Sequence, residues 1–211
     1  MRDSTRRHPR HAGLGRLAGM VLLALSLLTG CSFGTDTVAG TPVFDHTVPA
    51  ASDEGPTFLP AAKPTRLRIP AITVDAENIV DLGLNPDRTM EVPQGAQRVG
   101  WYSESPTPGE LGPSVLAAHV DWKNEKGVFY DLRRLSSGDE VIIDRADGTS
   151  LLFEVELVER YRKDRFPTSR VYGDVDRAEL RLITCGGVFD SDAQSYEDNV
   201  VAYAKLVAFR R

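Results

Sequence analysis

EVIIDRADGTSLLFEVELVERYR, residues 140–162, is two apolar, β-branched runs joined at Asp147-Gly148. Asp-Gly between such runs is a strong short-range hairpin signal, because both residues tolerate the backbone that a tight turn demands. The spacing predicts paired strands over Glu140–Arg145 and Ser150–Arg162. Outward from this hairpin the texture repeats. Short β-type runs fall at Arg66–Ile69, Ala76–Val80, Met90–Val92, Val99–Tyr102, Ser114–Val120, Glu179–Cys185 and Val200–Phe209. Pro70, Asn85-Pro86, Pro93, Gly112-Pro113, Gly138-Asp139 and Gly173 punctuate them. Only Val128–Leu135 and Asp174–Ala178 suggest helical turns. Many short strands separated by turns predict an all-β domain over 66–211, a closed barrel or a sandwich.

The chain ahead of that domain reads as an address and a tether. Residues 1–16 are basic, and 17–29 read LAGMVLLALSLLT, an apolar run of signal-peptide length. It is shorter than the roughly 20 residues a spanning helix needs. Leu28-Thr29-Gly30-Cys31 resembles a bacterial lipobox, which makes Cys31 the expected lipidation site; the alternative for 1–30 is an uncleaved membrane anchor. Both place the domain on the extracytoplasmic face of the membrane. Residues 31–65 are rich in Gly, Thr, Pro, Ala, Ser and Asp without periodicity and read as a flexible linker, on the order of 30 Å as a random coil. His46 falls within it.

The chain has 25 basic and 30 acidic residues. Setting aside the five arginines and one acid of residues 1–30 leaves 20 basic against 29 acidic, a net −9. Such a surface is a poor partner for phosphate backbones, so nucleic acid is excluded.

Within the predicted domain there is one histidine, His119, ending SVLAAH, and one cysteine, Cys185, ending ELRLITC ahead of Gly186-Gly187. With Cys31 lipidated, Cys185 has no disulfide partner, and a lone thiol in an oxidising compartment calls for a use. A thiolate is a strong nucleophile, and an imidazolium beside it favours the thiolate and carries a proton to a leaving amine. Such a pair supports an acyl-enzyme. The bland alternative is a buried, inert thiol and a structural histidine. One Cys and one His fall short of the three or four ligands that zinc takes, so no metal and no cofactor are expected.

LAAHVDW (116–122), GVFYDLRRLSSGDEV (127–141) and LRLITCGGVFD (180–190) resemble sortases, the actinobacterial class E/F group in particular. IPAITVDA (69–76), VGWY (99–102) and YEDNVVAYA (196–204) extend the likeness over roughly 66–209. The resemblance implies a closed eight-stranded β-barrel with one or two short helices. It implies a cysteine transpeptidase that cleaves an LPXTG-like C-terminal sorting signal on secreted proteins. The acyl group is held as a thioester on Cys185 and passed to an amine of a peptidoglycan precursor or a pilin. His119 would be the acid and base, and Thr184 would line the substrate groove.

One departure stands out. Sortases usually carry an arginine downstream of the cysteine, thought to steady the substrate carbonyl. Residues 186–209 contain none; at the positions where relatives could have one, this chain offers Ser191, Glu197 or Asn199. Arg133, Arg134 and Arg181 are substitutes by location only, and no residue is assigned. The gap supports a second expectation: a catalytically weak or inactive lipoprotein that binds sorting-signal peptides or wall material. A papain-like hydrolase is disfavoured, because there the cysteine precedes the histidine. Asp121 is a candidate to orient His119, or a turn residue. Trp101 and Trp122 are expected to pack, and Arg160–Lys163 to be a solvated strand end. Asp190, Asp192, Glu197 and Asp198 read as a solvated acidic loop rather than a calcium site.

Overall fold

The computed structural model describes residues 58–77 and 79–211. The expected signal or anchor segment, Cys31 and most of the expected linker lie outside the described residues. Eleven strands are formed among them: β1 (Pro64–Ile69), β2 (Val74–Glu77), β3 (Val80–Leu82), β4 (Val99–Tyr102), β5 (Gly112–Ala118), β6 (Asp121–Trp122), β7 (Glu125–Lys126), β8 (Glu140–Arg145), β9 (Ser150–Arg162), β10 (Ala178–Asp190) and β11 (Ser195–Arg210). One helix, α1, spans Thr168–Tyr172.

Nine strands form one sheet in the order β2-β1-β8-β9-β11-β10-β5-β4-β3, and β6 pairs with β7 apart from it. This corrects the expected closed eight-stranded barrel: β2 and β3 are edges with no ladder between them. The single run expected at Ala76–Val80 supplies both edges, β2 ending at Glu77 and β3 starting at Val80. Three residues of chain reach at most about 11 Å. The end of β2 and the start of β3 therefore lie close together, and the sheet is curled rather than sealed. One buried cluster lies inside the curl, with Leu67, Val99, Leu116, Val141, Phe153 and Leu182 drawn from strands around its whole circumference.

The β8–β9 hairpin forms as expected, over the expected residues. Its turn is closed by the amide of Gly148 donating to the Arg145 carbonyl at 3.1 Å, and Gly148 takes φ 83°. Asp147 accepts from the Thr149 amide at 3.0 Å and from the Arg145 guanidinium at 2.6 Å. Those bonds hold its carboxyl well below the usual range. Residues ahead of 66 also join the fold: Leu59 is buried, its amide donates to the Gly109 carbonyl at 2.7 Å, and Arg145 donates to the Pro60 carbonyl at 2.8 Å.

Three smaller expectations are also revised. Met90–Val92 is not a strand; Met90 makes a single bridge to Leu84. The helical signal at Val128–Leu135 condenses to a 3₁₀ turn at Leu132–Arg134. The helix expected at Asp174–Ala178 lies earlier, at α1, where Val171 is buried against the outer face of the sheet beside Val115, Ile183, Val201 and Tyr203.

Candidate active site

β10 runs parallel to β5, with Leu182 opposite Leu116 and Ile183 opposite Ala117. Side chains alternate across a sheet. Leu116, Ala118, Leu180 and Leu182 belong to the inner cluster, while Val115 and Ile183 belong to the outer one. Carried on by two residues, the same parity points Cys185 and His119 to the outer face from neighbouring strands. Both line one cavity of about 670 Å³. β5 is buried along its whole length and β10 from Ala178 to Thr184. Rigid, central strands thus carry the two side chains to the sheet's rim.

Cys185 was expected to end its strand. Instead β10 continues to Asp190, and the register against β11 shifts between Gly186 and Phe189. The glycines make a bulge rather than a turn. Gly187 takes φ 80°, and a Cβ there would meet the Asp198 Oδ2 at 2.4 Å. A bulge frees the backbone beside the thiol while the β10–β11 ladder resumes beyond it. Cys185 is a free thiol, partly exposed.

His119 is the first residue past β5. The Pro93 carbonyl lies 2.8 Å from its Nε2. A carbonyl only accepts, so Nε2 carries a proton and Nδ1 is the nitrogen left for chemistry. Trp122 lies against the imidazole, ring centres 4.6 Å apart. The β6–β7 hairpin folds back on the histidine through Lys123 and Asn124, both at positive φ. The Phe129 amide then donates to the His119 carbonyl at 3.1 Å. Gly127 permits this approach, since a Cβ there would fall 2.0 Å from that carbonyl oxygen.

Asp121 does not bond to His119. Its carboxylate accepts from the Tyr196 hydroxyl, joining the hairpin behind the histidine to β11. That bond, with burial and the nearby Asp121 and Cys185, pushes the Tyr196 phenol up to about 12. Thr184 borders the cavity but points inward by parity; it is buried, and its Oγ1 has no hydrogen-bond partner. A second cavity of about 410 Å³ meets the first at Thr184 and Cys185.

The remaining candidates separate by position. Arg181 is buried in an ion pair with Glu179, its guanidinium 4.6 Å from the Tyr203 ring centre, and does not reach the cavity. Arg134 pairs with Asp131 at 3.5 Å, and Arg133 borders the second cavity. The Ser191 carbonyl accepts from Gln194 in the β10–β11 turn, and Glu197 is exposed. Asn199 stands opposite Cys185 on β11 and lines the first cavity. In the acidic segment, Asp190 caps its turn by accepting from the Asp192 and Ala193 amides, and Asp198 pairs with Arg160 at 3.4 Å. Trp101 is buried, donating to the Pro106 carbonyl at 3.2 Å. Arg162 and Lys163 bond to Asp164 and Ser195.

Sequence reasoning missed the Pro93 carbonyl, Tyr196 and the cavity's outer wall. That wall is an aromatic chain in which Tyr102 and Phe166 each lie 6.2 Å from Tyr172. Leu84, Met90 and Val92 line the cavity as well. None of these carries a local signal, because only the strand order brings them together.

The sortase domain profile matches residues 67–207. Among solved structures, the chain is similar to the SrtA sortase from Actinomyces oris, with 19% identity over 75% of this chain and 89% of that one and a TM-score of 0.53. It is similar to sortase A from Corynebacterium diphtheriae, with 18% identity over 71% and 61% and a TM-score of 0.52. Sortase C1 of Streptococcus agalactiae gives 19% identity and a TM-score of 0.50 over 68% of this chain and 66% of that one, so the chain spans just under two thirds of that relative. No curated protein sequence matches. At these identities the structures speak for the fold, and the profile, covering most of the chain, fixes the family: this chain belongs to the sortases.

Proposed function

We propose that the protein is a cysteine transpeptidase of the class E/F type, tethered at the extracytoplasmic face of the membrane through Cys31 or an uncleaved anchor. In this reading the Cys185 thiolate attacks the carbonyl of a sorting signal resembling LPXTG. The protonated His119 imidazole gives its proton to the departing amine, and a thioester remains on Cys185. An amine from a peptidoglycan precursor or a pilin then attacks, and His119 takes its proton. Thr184 lines the groove at the sulfur. The observation that carries the reading is that the domain's one histidine and one cysteine project from adjacent strands into the same cavity. The apolar residues along that cavity, Leu84, Met90, Val92 and Ile183, suit an extended peptide with apolar side chains.

The test is a pentapeptide library incubated with the purified domain and an amine, with transfer products read by mass. Wild type is expected to join peptide to amine, and Cys185→Ala and His119→Ala to lose the product. Turnover surviving in Cys185→Ala would refute the nucleophile. The absence of arginine from 186–209 favours a second reading, a sortase-like protein that binds sorting-signal peptides or wall material without turnover. Peptide binding by wild type with no covalent adduct would select it.

A further inference from the structure

We propose that the end of the domain at which the chain enters is a seat on the lipid bilayer, with Phe58, Leu111, Val207 and Phe209 set among the headgroups. The inference rests on the membrane-tethered reading and adds an orientation to it.

Seven large apolar side chains are exposed among the described residues. Three belong to the site. Val92 lines the first cavity and Val188 the second, and Phe189 follows Val188 with its ring centre 5.2 Å from that of Tyr196. The other four, each 41–48% exposed, take no part in it. They gather at the opposite end of the strands. Leu59, next to Phe58, and Leu151 both crowd Gly109, 3.3 and 3.1 Å from where its Cβ would stand. Leu111 follows two residues after Gly109. Phe209 is the ladder partner of Leu151, and Val207 lies in the β11 bulge just before it. β5 and β10 start at this end, Gly112 beside Ala178, and run in parallel towards His119 and Cys185. The seven steps from Ala178 to Cys185 span roughly 23 Å.

Apolar side chains exposed singly need no explanation, but a group about one end marks a contact surface. The chain itself says what covers it. The 57 residues ahead of Phe58, which include the apolar run 17–29 and Cys31, join the domain within this group. A domain tethered there meets the lipid with this end more readily than with any other. Of the acids nearby, Glu110 accepts from the amide and hydroxyl of Thr107, and Asp147 pairs with Arg145. Asp174 and Asp176, just ahead of β10, are exposed and offer anionic lipid no attraction. The seat is therefore apolar, binding through the area its side chains bury at the interface. Seated so, the domain holds its thiol off the lipid.

The test uses the full chain reconstituted in phosphatidylcholine vesicles, with hydrogen exchange read peptide by peptide by mass. Wild type is compared with a variant carrying Phe58→Ser, Leu111→Ser, Val207→Ser and Phe209→Ser, and with a milder one carrying Val207→Ser and Phe209→Ser alone. Wild-type amides in 107–112 and 206–211 are expected to exchange about tenfold more slowly than those of the fourfold variant. The milder variant should fall between, residues 186–198 should not change, and salt should not alter the difference. Equal exchange at this end in all three proteins overturns the seat. Slowing at 186–198 instead overturns it too, by putting the cysteine end on the lipid. Slowing that grows with the protein-to-lipid ratio assigns the face to a second copy of the chain and overturns it likewise. Faster exchange in both variants along β5 and β10 as well has the same force, because the four side chains would then serve the fold. A full chain that does not stay with the vesicles overturns the tethered reading and this proposal with it.

Discussion

At Thr184 two demands collide. A buried hydroxyl without a partner costs about 1–3 kcal/mol, and valine has nearly its shape. Thr184→Val is expected to raise unfolding free energy by about 1 kcal/mol in urea titrations and to lower transfer activity, if the hydroxyl is kept for substrate. A variant with unchanged activity would make it a packing residue. Gly127 makes the opposite case. A methyl 2.0 Å from the His119 carbonyl has no room, so the loop must move. Gly127→Ala is expected to reduce turnover at least about tenfold and to cost about 1–3 kcal/mol in the same titrations, and full activity would show that the histidine's seat does not depend on this contact. His119 and Cys185 were legible as residues, because each is alone of its kind in the domain. Their neighbours were not: the Pro93 carbonyl carries no side-chain signal, and Asn199 becomes distinct from Ser191 and Glu197 only through the β10–β11 register.

The β8–β9 hairpin was the most legible element, since local turn chemistry and alternation agree there. Its anchor was not legible. Arg145, fully enclosed, donates at 2.8 Å to the carbonyls of both Pro108 and Pro60, tying the hairpin turn to the chain entering the domain. Arg145→Met strands those carbonyls and is expected to cost about 3 kcal/mol, measured by chemical denaturation; a loss under about 1 kcal/mol would show that water satisfies them. β10 was misread at its end because Gly186-Gly187 gives the same signal for a bulge as for a turn. Only the long partner β11 decides between them, and that pairing is not local. The run Ala76–Val80 failed for a similar reason, as one short stretch serves the two opposite ends of the strand order.

Over the whole molecule, strand order makes the site. Nine strands curl around one core, and the parallel β5–β10 pair brings residues 119 and 185 to one rim. Sequence patterning reached the all-β class but not the strand number or the open seam, which depend on order rather than on periodicity. The charge balance gives a further check. Asp75, Asp87, Asp147, Asp164 and Asp190 are each held below the ordinary carboxylate range, by arginines at Asp75, Asp147 and Asp164 and by hydroxyl or amide donors at Asp87 and Asp190. The native state then binds fewer protons than the unfolded one. Their stabilisation is present above the unfolded carboxyl range near pH 4 and is lost as pH falls through the folded values. Thermal midpoints are expected to fall steadily below about pH 4; a flat profile down to pH 2 would contradict these pairings. The most direct measurement is the site of acylation. After brief exposure to a sorting-signal peptide and acid quench, proteolysis and mass analysis should place the acyl group on the fragment holding Cys185. The adduct should be labile to hydroxylamine and absent from Cys185→Ala. An acyl group on any other residue, or one persisting without this cysteine, would contradict the assignment.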